Sequence, residues 1–129
     1  MTSITKQVRT DTAPAPRPFY SQGVIAGDMV YVSGSLGIDP ATGKMVEGTI
    51  ADRTAQILKN IEEILNAAGS SLENVVKINI FITDMQDFAT MNKAYMKVFD
   101  SGVNPVRTCV AVKELPQGTD VEMEATAHL

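Results

Sequence analysis

The chain has no tryptophan, one cysteine and one histidine in 129 residues. A single cysteine excludes an internal disulfide and fits a reducing compartment. Cys109 and His128 alone leave too few soft ligands for a zinc site within one chain. His128 is the second-to-last residue, so a Ser-His-Asp or Cys-His system would hang on a fraying terminus. No apolar run approaches the roughly 20 residues needed to span a bilayer. Basic runs are missing as well. Lys and Arg number 11 against 15 Asp and Glu, a net charge of −4, and only 5% of residues are aromatic. That balance disfavours binding to a phosphate backbone. Neither a Walker-type loop nor a GxGxxG occurs, and Gly34 and Gly37 around Ser35 read as strand and loop punctuation.

What is present is a globular composition, 44% hydrophobic and 20% charged. The length suits one domain covering residues 1–129, with no linker and no internal repeat. The start, MTSITKQVRT, lacks the apolar core of a secretory signal. Its Lys6 and Arg9, with no acid before Asp11, leave a mitochondrial presequence as the alternative to a cytoplasmic protein whose first strand is Ile4 to Val8. Thr10 to Pro18 is too proline-rich for helix. Val24 to Ala26 and Met29 to Ser33 read as strands of a hairpin around Gly27-Asp28, and Asp39 to Lys44 as a turn.

Thr49 to Ala68 carries helical spacing in Ala51, Ala55, Leu58, Ile61, Leu65 and Ala68, with Thr49 and Asp52 as its N-terminal cap and Gly69 as its C-terminal stop. Val75 to Ile82 is a strand whose stronger face is Val76, Ile78, Ile80 and Ile82. A second helix is expected from about Met85 to Phe99, with Asn92 pointing into its apolar stripe of Phe88, Met91, Tyr95, Val98 and Phe99. Two strands close the chain, NPVRTCVAV and VEMEATAHL. The pattern is α+β, with two amphipathic helices covering one face of a sheet. The uncovered face is half apolar, which is how subunit contacts are built.

In NPVRTCVAV, Arg107, Cys109 and Ala111 alternate with Val106, Thr108, Val110 and Val112. A buried guanidinium is costly unless a carboxylate meets it. That carboxylate is either internal, from Glu122 or Glu124, or it belongs to a small acid held bidentately. Tyr20, Ser33, Asn92, Cys109 and Glu122 are the other polar residues set among apolar strands and one helix. Each also has a structural reading: a loop cap, a strand end, a buried carbonyl's partner, a small core residue, an ion-pair partner.

Taken together, NPVRTCVAV, YSQG, VSG, DFATMN and VEMEATA resemble the RidA (YjgF) family, the reactive intermediate deaminases, over essentially the whole chain and in the family's order. The resemblance implies a chorismate-mutase-like mixed sheet, a homotrimer with sites between subunits, and no metal or cofactor. It implies hydrolysis of 2-imino acids, such as 2-iminobutanoate and 2-iminopropanoate, to 2-oxo acids and ammonia. By that resemblance Arg107 binds the substrate carboxylate and Glu122 activates water, as general bases do. Tyr20, Ser33 and Asn92 line the pocket, and Cys109 contributes backbone rather than thiol. Two positions depart from the family pattern: Ser35, where many members have glutamine, and Asn104, where an aromatic residue is frequent.

Two other functional classes compete: an endoribonuclease or translation inhibitor, as described for some relatives, and a non-enzymatic binder or holdase. The acidic chain without an aromatic stacking run argues against the first. Glu122 separates the second, since a binder needs Arg107 but has no use for a water-activating carboxylate.

Overall fold

A computed structural model describes residues 5–100 and 102–129. Eight strands and two helices follow in the order β1 (Thr5–Val8), β2 (Gly23–Ala26), β3 (Met29–Ser35), β4 (Ile38–Asp39), β5 (Lys44–Met45), α1 (Ile50–Ala67), β6 (Val75–Ile82), α2 (Phe88–Met96), β7 (Val106–Ala111) and β8 (Val121–His128). Ile4, expected in the first strand, lies outside the described residues. Six strands form one sheet in the order β1-β2-β3-β8-β6-β7, antiparallel except for the β6–β7 pair. The α+β layout with two helices on one face is thus present. β4 and β5 pair separately, making a small hairpin of the segment read as a turn. No helix among the described residues is long and apolar enough to cross a membrane.

α1 begins at the expected cap. Thr49 Oγ1 accepts from the Ala51 amide, and Asp52 Oδ2 accepts from the Thr49 amide at 2.9 Å. It ends in a Schellman motif, with Gly69 at φ 84° and the Ser70 amide donating back to the Leu65 carbonyl. The buried face differs from the expected stripe. Ile50, Thr54, Ile57, Leu58, Ile61, Ile64 and Leu65 point inward, and Ala55 is exposed. Alanines match the helical spacing, but the isoleucines bury more apolar area, about 1.5–3 kcal/mol for each large side chain, and so set the rotation.

The helices cover Val30 and Val32 of β3, Ile78, Ile80 and Ile82 of β6, and Val121, Met123, Ala125 and Ala127 of β8. Val76 does not join them, contrary to expectation. The β6–β8 ladder shifts register between Val75 and Lys77, so Val75 is buried and Val76 is turned outward. The second helix is shorter than expected. Met85–Asp87 is a single 3₁₀ turn, and α2 proper stops at Met96. One residue the sequence reading passed over fixes the proline-rich segment. Gln22, almost fully buried, accepts from the Thr10 amide at 2.8 Å and donates to the carbonyls of Thr10 and Pro14 at 3.0 and 2.9 Å.

Candidate functional site

The ladders decide which residues can meet. Along β6–β7, Ile78 pairs with Arg107 and Ile80 with Cys109, so both polar residues share the helix-covered face. Along β6–β8, Phe81 pairs with Glu122 and Asn79 with Glu124, which puts both acids on the open face with Val106, Thr108 and Val110. Arg107 and Glu122 therefore lie on opposite faces of one sheet. Among the described residues there is no ion pair between Arg107 and either acid, one of the two sequence alternatives.

β7 is the edge strand, and α2 packs beside it. Arg107 Nη1 donates to Asn92 Oδ1 at 2.6 Å. Its guanidinium carbon stands 5.0 Å from the Tyr95 ring centroid and 5.6 Å from that of Phe88. Two ring faces and one amide orient the fork. The remaining guanidinium N–H groups have no partner among the described residues. Phe88 and Tyr95 escaped the sequence reading as site residues. Their signal was there: they flank Asn92 at four and three residues, the spacing that shares a helix face. Cys109 lies half-buried two residues along, and burial pushes its thiol above the ordinary range while Arg107 pulls the other way. A thiol held protonated is a poor nucleophile.

The open face carries a second group. Tyr20, Ser33 and Glu122 line a cleft of about 820 Å³, joined by Arg17, Phe19 and Gln117, which sequence alone did not single out. Gln117 has φ 58°, between Pro116 and Gly118, and that turn brings it to the cleft. Ser33 Oγ donates to the Ser21 carbonyl at 2.5 Å, and the Ser33 amide donates to the Gln22 carbonyl, so Ser33 ties β3 to the loop carrying Tyr20. Tyr20 is exposed, its ring 5.5 Å from that of Phe19.

The Glu122 carboxyl has no hydrogen-bond partner among the described residues. Burial raises its pKa above the usual carboxylate range, and the neighbouring Glu124 charge adds to the rise. Glu124 is itself held by Asn79 Nδ2 at 3.2 Å. Two residues before Glu122, Asp120 takes both Nε and Nη2 of Arg53 at 2.7 Å, which anchors the start of β8 to α1. The described residues hold no group of three or more His, Cys, Asp or Glu that could bind a metal ion.

The six expected residues thus divide into two groups of three, on two faces. Residues 10–129 match the family model described as Endoribonuclease L-PSP. The chain belongs to this family, the RidA family. A RutC family protein of Pyrococcus horikoshii is 44% identical over 119 residues, covering 92% of this chain and 94% of the relative. The 2-iminobutanoate/2-iminopropanoate deaminase of rat is 43% identical over 124 residues, covering 96% and 90%. The crystal structure of Escherichia coli TdcF with bound serine superposes with a TM-score of 0.91 at 38% identity, covering 96% of this chain and 98% of that one. This mixed α+β architecture is therefore the RidA architecture.

Proposed function

We propose that this RidA protein hydrolyses 2-imino acids such as 2-iminobutanoate and 2-iminopropanoate to 2-oxo acids and ammonia, as a homotrimer with its sites between subunits. The observation that carries the reading is the unpartnered, half-buried Glu122 carboxyl with its raised pKa. A binder of small acids has no need of it, and a carboxylate made more basic by burial is suited to water activation.

In this mechanism Arg107 of one copy holds the substrate carboxylate through the N–H groups that Asn92 leaves free. Glu122 of a neighbouring copy takes a proton from water as its oxygen bonds to the iminium carbon. The tetrahedral aminoalcohol then collapses: Glu122 returns the proton to nitrogen and takes the hydroxyl proton as the C–N bond breaks, and the departing ammonia carries that proton off as ammonium, leaving the 2-oxo acid. The iminium carbon is electrophilic already, so the protein supplies placement and proton transfer rather than a nucleophile. Tyr20 and Ser33 wall the cleft beside Glu122, and Cys109 lines the anion side through its backbone. The open sheet face supports the assembly, since it mixes Tyr31, Phe81, Val106 and Val110 with Thr108 and Thr126.

The test is ammonia release when purified protein is added to a dehydratase reaction that generates the imine, beside Arg107→Lys. Lysine keeps the charge and loses the planar fork. Charge-assisted bonds of this kind are worth about 1.5–3 kcal/mol, so kcat/KM should fall by roughly 10- to 150-fold. Wild-type kcat/KM in a folded lysine variant would place the carboxylate elsewhere. The family model's description raises RNA cleavage as the second reading, and a parallel RNA digest with Glu122→Gln tests it.

A further inference from the structure

Gly34 has no conformational reason to be glycine. Its φ lies outside the left-handed region, so a side chain strains nothing in the backbone. It is also exposed, so packing into the core does not exclude a side chain. Yet a Cβ built there meets Glu122 first: Cδ and Oε2 at 3.0 Å and Cγ at 3.4 Å are its three nearest atoms. The Glu122 carboxyl thus occupies the space beside a side-chain position that glycine leaves empty.

The ladder explains how it comes to lie there. β3 pairs Val32 with Ala125 and Ser35 with Met123, so Ser33 and Gly34 together oppose the single residue Glu124. Two residues against one is a β-bulge, the local kink that re-aims side chains in a sheet. The Ser33 amide and hydroxyl, bonded to the Gln22 and Ser21 carbonyls, hold one side of the bulge. Gly34 is then presented toward β8 where Glu122 leans over it.

We infer that Gly34 is a positioning residue, whose missing side chain seats the Glu122 carboxyl on the bulge and fixes where it meets the attacking water. This rests on the proposed role of Glu122 as base. An added methyl must displace the carboxyl by a few tenths of an ångström or turn it out of place. Misplacement of a catalytic group by 1 Å costs about 10²-fold, so a shift of a few tenths of an ångström should cost roughly 3- to 10-fold in kcat. In the proposed site the substrate's carboxylate is held by Arg107 of the neighbouring copy, away from Gly34, so KM should stay within about threefold of wild type.

The experiment measures kcat, KM, melting temperature and oligomeric state for Gly34→Ala, Glu122→Gln and the double variant, on 2-iminobutanoate. The expected result is a kcat loss in Gly34→Ala at unchanged melting temperature and assembly. In the Glu122→Gln background the same alanine should change kcat by less than about twofold, because the group it displaces is no longer a base. Wild-type kcat in Gly34→Ala overturns the inference. So does a lowered melting temperature or a broken assembly, which would mean that the glycine serves packing. An equal loss in both backgrounds overturns it while leaving Glu122 as base. Wild-type turnover by Glu122→Gln alone overturns the base itself, and the inference with it.

Discussion

Mixing two impaired variants should restore activity. Arg107→Ala removes the anion clamp and Glu122→Gln removes the base, so the first should keep about a tenth of wild-type turnover or less and the second about 1% or less. Arg107 is paired with Ile78 and Glu122 with Phe81, on opposite faces of the sheet, so in the assembly proposed above each complete site draws one from each of two neighbouring copies. In a closed ring of head-to-tail contacts, each site joins one copy's Arg107 to the next copy's Glu122. After random exchange at equal concentrations, a site has both groups intact when two independent copies are each of the right kind, so about one quarter of wild-type activity should return. The readout is ammonia release after co-refolding the pair, beside each parent refolded alone. A second mixture sharpens the result. Wild type co-refolded with the double variant should give about one quarter of wild-type activity for split sites and about one half for sites within one chain. A variant mixture no more active than its parents, with the second mixture at one half, would refute the shared site.

Glu122→Gln should lower kcat by roughly 10²–10⁴-fold, whereas Cys109→Ala should stay within about tenfold of wild type, because a thiol pushed up by burial is not an available nucleophile; steady-state kinetics with folding checked by circular dichroism decides, and the reverse order would indicate a covalent thiol adduct. The acid limb of the kcat profile should fall above the ordinary carboxylate range, since burial and Glu124 favour the protonated, inactive form of Glu122, and Glu124→Gln should move that limb to lower pH. Asp120 is held below its usual range by the Arg53 hydrogen bonds. Its stabilisation is therefore fully present above the unfolded value of about 4 and is lost as pH falls through the depressed folded value. Asp120→Asn should cost about 2 kcal/mol at neutral pH by urea unfolding, and less as the pH drops below 4.

The periodic parts of the chain were legible. The α1 caps, the β8 alternation and the six strands of the main sheet follow from local chemistry, and the structure has them where the sequence puts them. Local chemistry does not encode how strands pair. The bulge that turns Val76 outward comes from the β6–β8 register, and no residue type at that position announces it. The same limit governs the site. Alternation places Arg107 and Cys109 on one face of β7, but only the pairing with Ile78 and Ile80 shows that this is the helix face. The Arg53–Asp120 pair joins residues 67 apart and leaves no local pattern. Phe88 and Tyr95 were visible as an apolar stripe, and their second use as a cradle for Arg107 needed the neighbouring strand.

The Gln22 amide has a consequence for how the chain opens. The segment it holds contains Pro14, Pro16 and Pro18, which have no N–H to offer a ladder, so one side chain supplies the donor and acceptor that a neighbouring strand would otherwise give. Ladder bonds are lost one after another from an end, each step costing a little. The segment has few other fastenings, the Thr12 hydroxyl donating to Glu63 Oε2 at 3.0 Å and the buried Ala13, so release of Gln22 loosens Thr10 and Pro14 together. The Thr10 amide proton should therefore exchange with solvent at the rate of that release, as a cooperative unit separate from the β-sheet. Arg17 and Tyr20 ride on the same stretch of chain, between the Pro14 contact and Gln22 itself. The wall of the cleft that faces Glu122 thus borders a segment whose release turns on one buried glutamine, with Ala13 as its tie to the core.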